Sequence, residues 1–177
     1  MDASGVSLRQ LLAQRGSYPI IATAVAAGRF PTFPVTLFEH VGDVYRRVET
    51  AAGDDFDEIE GLRLAALVHE EPPESLRTVF GLADISDLVP IVAAVTGGFG
   101  RVWKVRTEGE LRHYVEPHRA HLASILLFEV AHEGRAIAEM ERAAEMGGIG
   151  STFKVWAERL AALTPLEPRL QWAAQRR

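Results

Sequence analysis

The chain contains no cysteine among its 177 residues. It therefore has no disulfide bond, no thiolate metal ligand and no cysteine nucleophile. It has no excess of basic residues either, since its formal net charge is −5 at pH 7. Proteins that bind nucleic acid usually present a net positive face to the phosphate backbone. We therefore do not expect a nucleic-acid partner.

Long apolar runs are also missing. No stretch approaches the ~20 consecutive apolar residues that a transmembrane helix needs. The first residues, MDASGVSLRQLLAQRG, show no basic segment followed by an apolar one, so they do not resemble a signal peptide. We expect a cytoplasmic protein with no membrane partner.

The composition is that of an ordinary folded protein. Hydrophobic residues make up 47% of the chain and charged residues 24%, which argues against a disordered or low-complexity class. A chain of this length can bury one full core but is short for two. We predict one helical domain over residues 1–177. A homo-oligomer stays possible, because the sequence says little about assembly.

Apolar residues recur at helical spacing along most of the chain, as in Leu37, Val41, Val44, Tyr45 and Val48. Capping signals agree with this spacing: Ser7 can begin the first helix, and Thr107 and Glu110 have the spacing of a capping box. We predict an all-α protein of roughly eight to ten helices in a single compact domain.

Several of these predicted helices have marked ends. One carries His40 in its middle, and the next opens with the acidic run DDFDE and closes at His69 and Glu70, before two prolines. A later helix is predicted to start at Ser86 or Asp87. The longest apolar helix is predicted to start at Pro117 and to run to about Gly134.

Polar side chains fall where this pattern predicts burial: His40, the pair His69 and Glu70, and the pair His132 and Glu133. A buried imidazole or carboxylate is unfavourable unless it is paired or bound to a metal. Imidazole and carboxylate together are common ligands of divalent first-row metals. The pattern therefore suggests that these side chains meet at one site.

The segments around these positions resemble the motifs of the HD-domain superfamily of helical, metal-dependent phosphohydrolases. TLFEHVGDVYRRVE is similar to the helix with the first histidine of the H…HD…D signature, and LRLAALVHEEPPE to the apolar helix that ends in the HD dyad. ELRHYVEPHRAHLASILLFEVAHEGRA is similar to the stretch with the last aspartate. The likeness is greatest to the HD-like region of bacterial tRNA nucleotidyltransferases. It predicts an HD-like core over residues 35–136 and a helical extension over 137–177.

The resemblance implies a metal site. His40 and His69 match the two histidine ligands, Glu70 matches the aspartate of the dyad, and His132 matches the last aspartate. The exchange of Asp for Glu at Glu70 moves the carboxylate by one methylene, about 1.5 Å. The family's intermediate histidine is missing, so one divalent transition metal ion is expected, with Mn, Fe, Co, Ni and Zn as the candidates. The imidazole of His132 favours Zn, Fe, Co or Ni over Mg.

The activity that the resemblance implies is hydrolysis of a small phosphorylated compound or a nucleotide. Glu74 or Glu133 would transfer a proton, and Arg101, Lys104 and Arg135 would neutralise phosphate charge. Because both signature aspartates are replaced, the alternative is an HD module without catalysis that binds a ligand or another protein. An RNA-binding remnant is a third possibility, against which the acidic balance counts.

Each site residue also has an ordinary structural explanation. His40 can be a hydrogen-bonded histidine of the core. Glu70 can belong to a solvated acidic helix end and pair with Arg63. His132 can be favoured by the dipole of its helix, whose carbonyl end attracts a positive charge.

Overall fold

A computed structural model describes residues 5–54, 56–133 and 138–163 of the chain. These residues form ten α-helices, three short 3₁₀ helices and no β-strand, so the predicted all-α fold is confirmed. The α-helices are α1 (Leu8–Leu12), α2 (Tyr18–Ala26), α3 (Glu39–Ala52), α4 (Ile59–Val68), α5 (Pro73–Phe80), α6 (Val89–Gly98), α7 (Glu108–His118), α8 (Leu122–Glu133), α9 (Ala138–Met146) and α10 (Gly150–Ala161). The 3₁₀ helices are Ala83–Leu88, Val102–Lys104 and Arg119–His121.

Capping boxes fix two helix starts. The hydroxyl of Ser7 accepts the backbone N–H of Gln10 at 3.1 Å, and the side chain of Gln10 accepts the backbone N–H of Ser7 at 2.8 Å. Thr107 and Glu110 form the same reciprocal pair at the start of α7. Each box satisfies two backbone N–H groups that the helix itself leaves without partners. The two predicted caps are confirmed.

Three other predicted helix starts are wrong. Pro117 lies in the last turn of α7, and α8 begins only at Leu122, after a 3₁₀ helix. The proline ring removes a helical hydrogen bond and so favours the end of α7 at His118. The α4 helix begins at Ile59, after the acidic run rather than within it. The α6 helix begins at Val89, with Pro90 in its first turn and without a side-chain cap.

The α8 helix is buried on almost every side. Nine of its twelve residues are buried, and full burial of each leucine, isoleucine or phenylalanine contributes about 1.5–3 kcal/mol.

Within the described part of the chain, no single helix has the length and apolar character to cross a membrane, although residues 73–80 and 83–98 pass that test together as a pair bent by 109°.

The α3 helix packs against α4, α8 and α10, and α4 packs against α6 as well. The buried face of α3 includes the fully buried residues Val41, Val44, Tyr45 and Val48. Since α4 also contacts α8, these three helices meet one another. This packing brings the start of α3 to the ends of α4 and α8.

One buried ion pair joins the first helices to this core. Nε of Arg63 in α4 donates to Oε1 of Glu49 in α3 at 2.8 Å, and the two residues are only 5% and 7% exposed. The guanidinium also donates to the carbonyl oxygen of Leu12, and the carboxylate accepts the N–H of Gly16. The pair is therefore hydrogen-bonded on both sides, as buried charges require.

We predict that Glu49→Ala destabilises the protein by about 3–5 kcal/mol, because it leaves the Arg63 charge buried without its partner. Unfolding in urea at neutral pH measures this change. Glu108→Ala, which removes an exposed pair with Arg112, is the control, and we expect it to change the free energy of unfolding by less than about 0.5 kcal/mol. Equal effects of the two substitutions would contradict the role given to the buried pair.

Candidate metal centre

Three helix ends carry the predicted ligands. His40 lies in the first turn of α3 and not in its middle, because this helix begins only at Glu39. His69 is the C-cap residue of α4, with Glu70 next to it, and His132 lies in the last turn of α8. The packing of α3, α4 and α8 therefore places four side chains from distant parts of the sequence at one corner of the core.

The ligand atoms of these four residues converge. One nitrogen or oxygen from each of His40, His69, Glu70 and His132 lies within 4.8 Å of the others. Nε2 of His69 is 3.3 Å from Nε2 of His40 and 3.1 Å from Oε1 of Glu70. The same carboxylate oxygen is 3.4 Å from Nε2 of His40 and 4.0 Å from Nε2 of His132. The predicted grouping of these four residues agrees with the geometry.

The backbone fixes the tautomer of His69. Its side chain is fully buried, and Nδ1 lies 2.7 Å from the carbonyl oxygen of Ala66. A carbonyl oxygen can only accept, so Nδ1 carries the proton, and Nε2 of the neutral ring is left with a free lone pair. That lone pair is directed to the other three ligands, as metal-binding histidines require.

A carboxylate lies beside the ring of His132. Its Nδ1 lies 3.4 Å from Oε1 of Glu133, while its Nε2 faces Glu70. Histidines that bind metals usually place a carboxylate or a backbone carbonyl behind the ring, which fixes the ring orientation and raises the basicity of the ligand nitrogen. His132 and His69 thus have the two usual kinds of outer partner.

The electrostatic environment favours neutral imidazoles. Burial lowers the pKa of His69 and of His132 below the usual value, and nearby imidazoles lower both further. Neutral imidazole is the form that binds metals. The carbonyl ends of α4 and α8 also lie here, and the partial negative charge of a helix C-terminus attracts a cation. The N-terminus of α3, which carries a partial positive charge, partly opposes this attraction.

Aromatic rings enclose the cluster on its buried side. The ring of Phe99 lies 5.2 Å from that of His132 and 6.2 Å from that of His69, between centroids. Phe128 lies 5.5 Å from His69 and stacks on His132 at 5.9 Å. Apolar walls exclude water and limit the rotamers of the imidazoles. The four polar side chains therefore lie against apolar rings on one side. On the other side the site is open to solvent at Glu70, whose side chain is 43% exposed.

The donor set fits a divalent transition metal. Ligand atoms about 2.0–2.1 Å from one zinc ion lie roughly 3–3.5 Å apart, and three of the separations given above are in that range. Three imidazoles and one carboxylate favour Zn, Fe, Co or Ni over the oxygen-preferring Mg. A group that could hold a metal ion is therefore present.

Glu70 does not pair with Arg63, the partner that the sequence offered for it. Arg63 pairs with Glu49, on the buried side of α4, whereas Glu70 faces the histidines. It is the next residue, Glu71, that has a structural contact: its Oε1 accepts the backbone N–H of Thr36 at 2.9 Å. This bond connects the segment before α3 to the turn that carries His69 and Glu70.

The other predicted site residues lie outside the cluster of four. Glu74 is exposed near the start of α5, and Glu133 is partly buried behind His132. Arg101 and Lys104 are exposed in the segment that follows Phe99. Arg135 lies outside the described residues. Phe99, which directly precedes this basic segment, contacts the rings of His69 and His132.

Sequence reasoning missed Glu129. This residue of α8 is 1% exposed, and its carboxylate accepts the backbone N–H of Gly100, while Oε1 is buried without a hydrogen-bond partner among the residues that the structure describes. Burial raises its pKa to about 7. The available signal was a glutamate inside the apolar run ILLFEVA. A helix that is apolar on every side is buried, so a charged residue within it is buried too.

Comparison of the chain with models of protein families, with curated proteins and with solved structures finds no significant match. The likeness to HD domains accordingly stays a prediction from the sequence motifs. The geometry of the four side chains is independent of it.

We predict that Glu129→Gln stabilises the metal-free protein more at pH 8 than at pH 5. The folded-state pKa of about 7 lies above the usual 4.5, so the wild type loses stability as the pH rises from about 4.5 to 7, by about 3 kcal/mol in total. Glutamine has no such dependence. Urea unfolding at both pH values measures the difference, and a gap between variant and wild type that is the same at pH 5 and pH 8 would disprove the raised pKa.

Proposed function

We propose that this protein is a metal-dependent hydrolase of small phosphorylated compounds, with a divergent HD-type site. The observation that carries the proposal is the convergence of His40, His69, Glu70 and His132 from the ends of three helices. These residues would hold one divalent ion, with Mn, Fe, Co, Ni and Zn as the candidates. The proposal rests on this geometry together with the HD-like order and spacing of the motifs.

The departures from the HD signature are compatible with a working site. Glu70 carries its carboxylate on a longer side chain than aspartate, and Oε1 still lies 3.1–4.0 Å from the three imidazole nitrogens. His132 replaces an aspartate but brings its own outer partner, Glu133. The set has therefore changed its ligand types while it keeps four ligands at one point.

A divalent ion held by these residues would supply Lewis-acid polarisation of a phosphoryl oxygen and a lower pKa for a water molecule. The chain supplies the other parts of the chemistry. Glu133 orients His132, and Glu74 or Glu133 is the proposed proton-transfer group. Arg101 and Lys104, with Arg135, would neutralise the charge of the phosphate. Phe99 and Phe128 exclude water from the buried side of the site.

The second candidate is an HD-like module that binds its ligand without turnover. The replacement of both signature aspartates favours it, since catalysis is sensitive to a ligand misplaced by about 1 Å. Both candidates use the same four side chains. They differ in whether a phosphorylated compound that binds is also hydrolysed.

We predict that the protein, purified without chelator and reconstituted separately with Mn, Fe, Co, Ni or Zn, releases phosphate from members of a panel of nucleotides, sugar phosphates and aryl phosphates. His69→Ala should lower the rate roughly 100-fold or more, because it removes a ligand. His118→Ala is the matched control, since Nδ1 of His118 also faces a backbone carbonyl, that of Tyr114, at 2.7 Å, and it should keep about the wild-type rate.

An activity that survives in His69→Ala would contradict the proposed enzyme. Metal bound by the wild type and lost in His69→Ala, with no hydrolysis of any member of the panel, would instead support the binding module. Calorimetric titration with the same panel would then identify which phosphorylated compounds bind to the metal-loaded protein.

A further inference from the structure

A buried carboxylate fixes the segment between α6 and the 3₁₀ helix Val102–Lys104 to α8. Glu129 is 1% exposed and accepts the backbone N–H of Gly100 through Oε2. Its other oxygen, Oε1, is buried and has no hydrogen-bond partner in the described structure. Burial of a carboxylate in this state is unfavourable, and an apolar side chain of similar size would fill the same place more favourably. The stability of the core does not explain its presence.

The segment that Glu129 holds is closely fitted to the site. A Cβ atom at Gly98 would come within 3.0 Å of the side chain of Ile125 in α8. Gly100 has φ +79°, a conformation that favours glycine. The hydroxyl of Tyr114 donates to the carbonyl oxygen of Gly98 at 3.4 Å. Phe99 therefore lies between two glycines whose positions are both determined by contacts with the helices around them.

Phe99 in turn contacts the ligand rings. Its ring centroid is 5.2 Å from that of His132, 6.2 Å from that of His69 and 5.1 Å from that of Phe128. Edge-to-face and tilted ring contacts at these distances restrict the rotation of an imidazole. Glu129 and His132 both belong to α8, so the carboxylate that holds Gly100 and one of the ligand rings share one helix.

We propose that Glu129 is a positioning residue of the metal centre. Through the N–H of Gly100 it holds Phe99 against His69 and His132, and so keeps their ligand nitrogens directed at one point. The inference rests on the proposed metal site and extends it to a residue that touches neither metal nor substrate.

The test separates this role from two others. If Glu129 acts only through its negative charge, glutamine should weaken metal binding as much as leucine does. If it acts only on the stability of the core, neither substitution should change metal binding in the folded protein. Positioning through the hydrogen bond requires an acceptor but no charge, so glutamine should replace glutamate.

The first measurement is amide hydrogen exchange at Gly100 in the metal-free protein, by NMR. Glu129→Leu should raise the exchange rate roughly tenfold or more, because the N–H loses its acceptor, and Glu129→Gln should keep it within about threefold of wild type. This readout does not depend on metal binding. It tests the hydrogen bond even if the metal proposal fails.

The second measurement is the dissociation constant for zinc. Glu129→Leu and Phe99→Ala should each raise it roughly tenfold or more, as changes in the support of metal ligands do, and Glu129→Gln should raise it less than about threefold. Tyr45→Phe is the control for a buried change, since it removes a buried hydroxyl that lies 2.8 Å from Oγ of Ser17, and it should also stay within about threefold. Thermal unfolding followed by circular dichroism confirms that each variant is folded.

Zinc affinity that is unchanged in Phe99→Ala, or equally weak in Glu129→Gln and Glu129→Leu, would overturn the inference. If Glu129→Leu does not fold, the zinc affinities of Glu129→Gln and Phe99→Ala still test the positioning role. A wild type that binds no zinc or other first-row metal would refute the proposed function and with it the positioning role, whereas the exchange at Gly100 would still show whether the hydrogen bond exists.

Discussion

Imidazole and carboxylate groups that share a partly buried corner of a protein need a positive charge or a complete set of hydrogen bonds among them. Here the lone pair on Nε2 of His69 faces Nε2 of His40 at 3.3 Å and a carboxylate oxygen of Glu70 at 3.1 Å. In a neutral cluster these acceptors have few protons to share, whereas one divalent cation satisfies all of them together. The packing of α3, α4 and α8 creates this requirement, because it brings three helix ends to the same place.

The same constraint gives a reason for contacts outside the cluster. A backbone carbonyl accepts from Nδ1 of His69, and the carboxylate of Glu133 lies 3.4 Å from Nδ1 of His132, so that Nε2 of each ring faces the centre. Burial keeps these two imidazoles neutral by lowering the pKa of each. Glu71 connects the turn after α4 to the segment before α3. A site that served only the stability of the core would not need this alignment of ring nitrogens.

Much of this arrangement could be predicted from the sequence, because local signals determine it. Helical spacing and capping predicted the class of fold, and the positions of His40, His69 and His132 on apolar helices indicated that they would meet. Boundaries were less predictable: a proline is favoured in the first turn of a helix, yet Pro117 lies in the last turn of α7, where the helix loses one hydrogen bond and ends one residue later. Tertiary packing decides between the two.

The roles of Glu129 and Arg63 could not be predicted with the same rules. A glutamate in an apolar helix can reach solvent or a distant backbone group, and only the fold shows that Glu129 meets Gly100, 29 residues earlier in the chain. Arg63 was an available partner for Glu70 by sequence, yet the direction in which it leaves α4 gives it to Glu49. Neither the contact of Glu129 with Gly100 nor that of Arg63 with Glu49 follows from the spacing of these residues along the chain.

The location of bound metal tests the central claim most directly. Crystals of the protein loaded with zinc, measured on both sides of the zinc absorption edge, give an anomalous map that locates the ion without reference to any substrate. The account predicts one strong peak bounded by Nε2 of His40, His69 and His132 and by the carboxylate of Glu70, absent in His40→Ala. A peak elsewhere, or none at this cluster in zinc-saturated crystals, would contradict it.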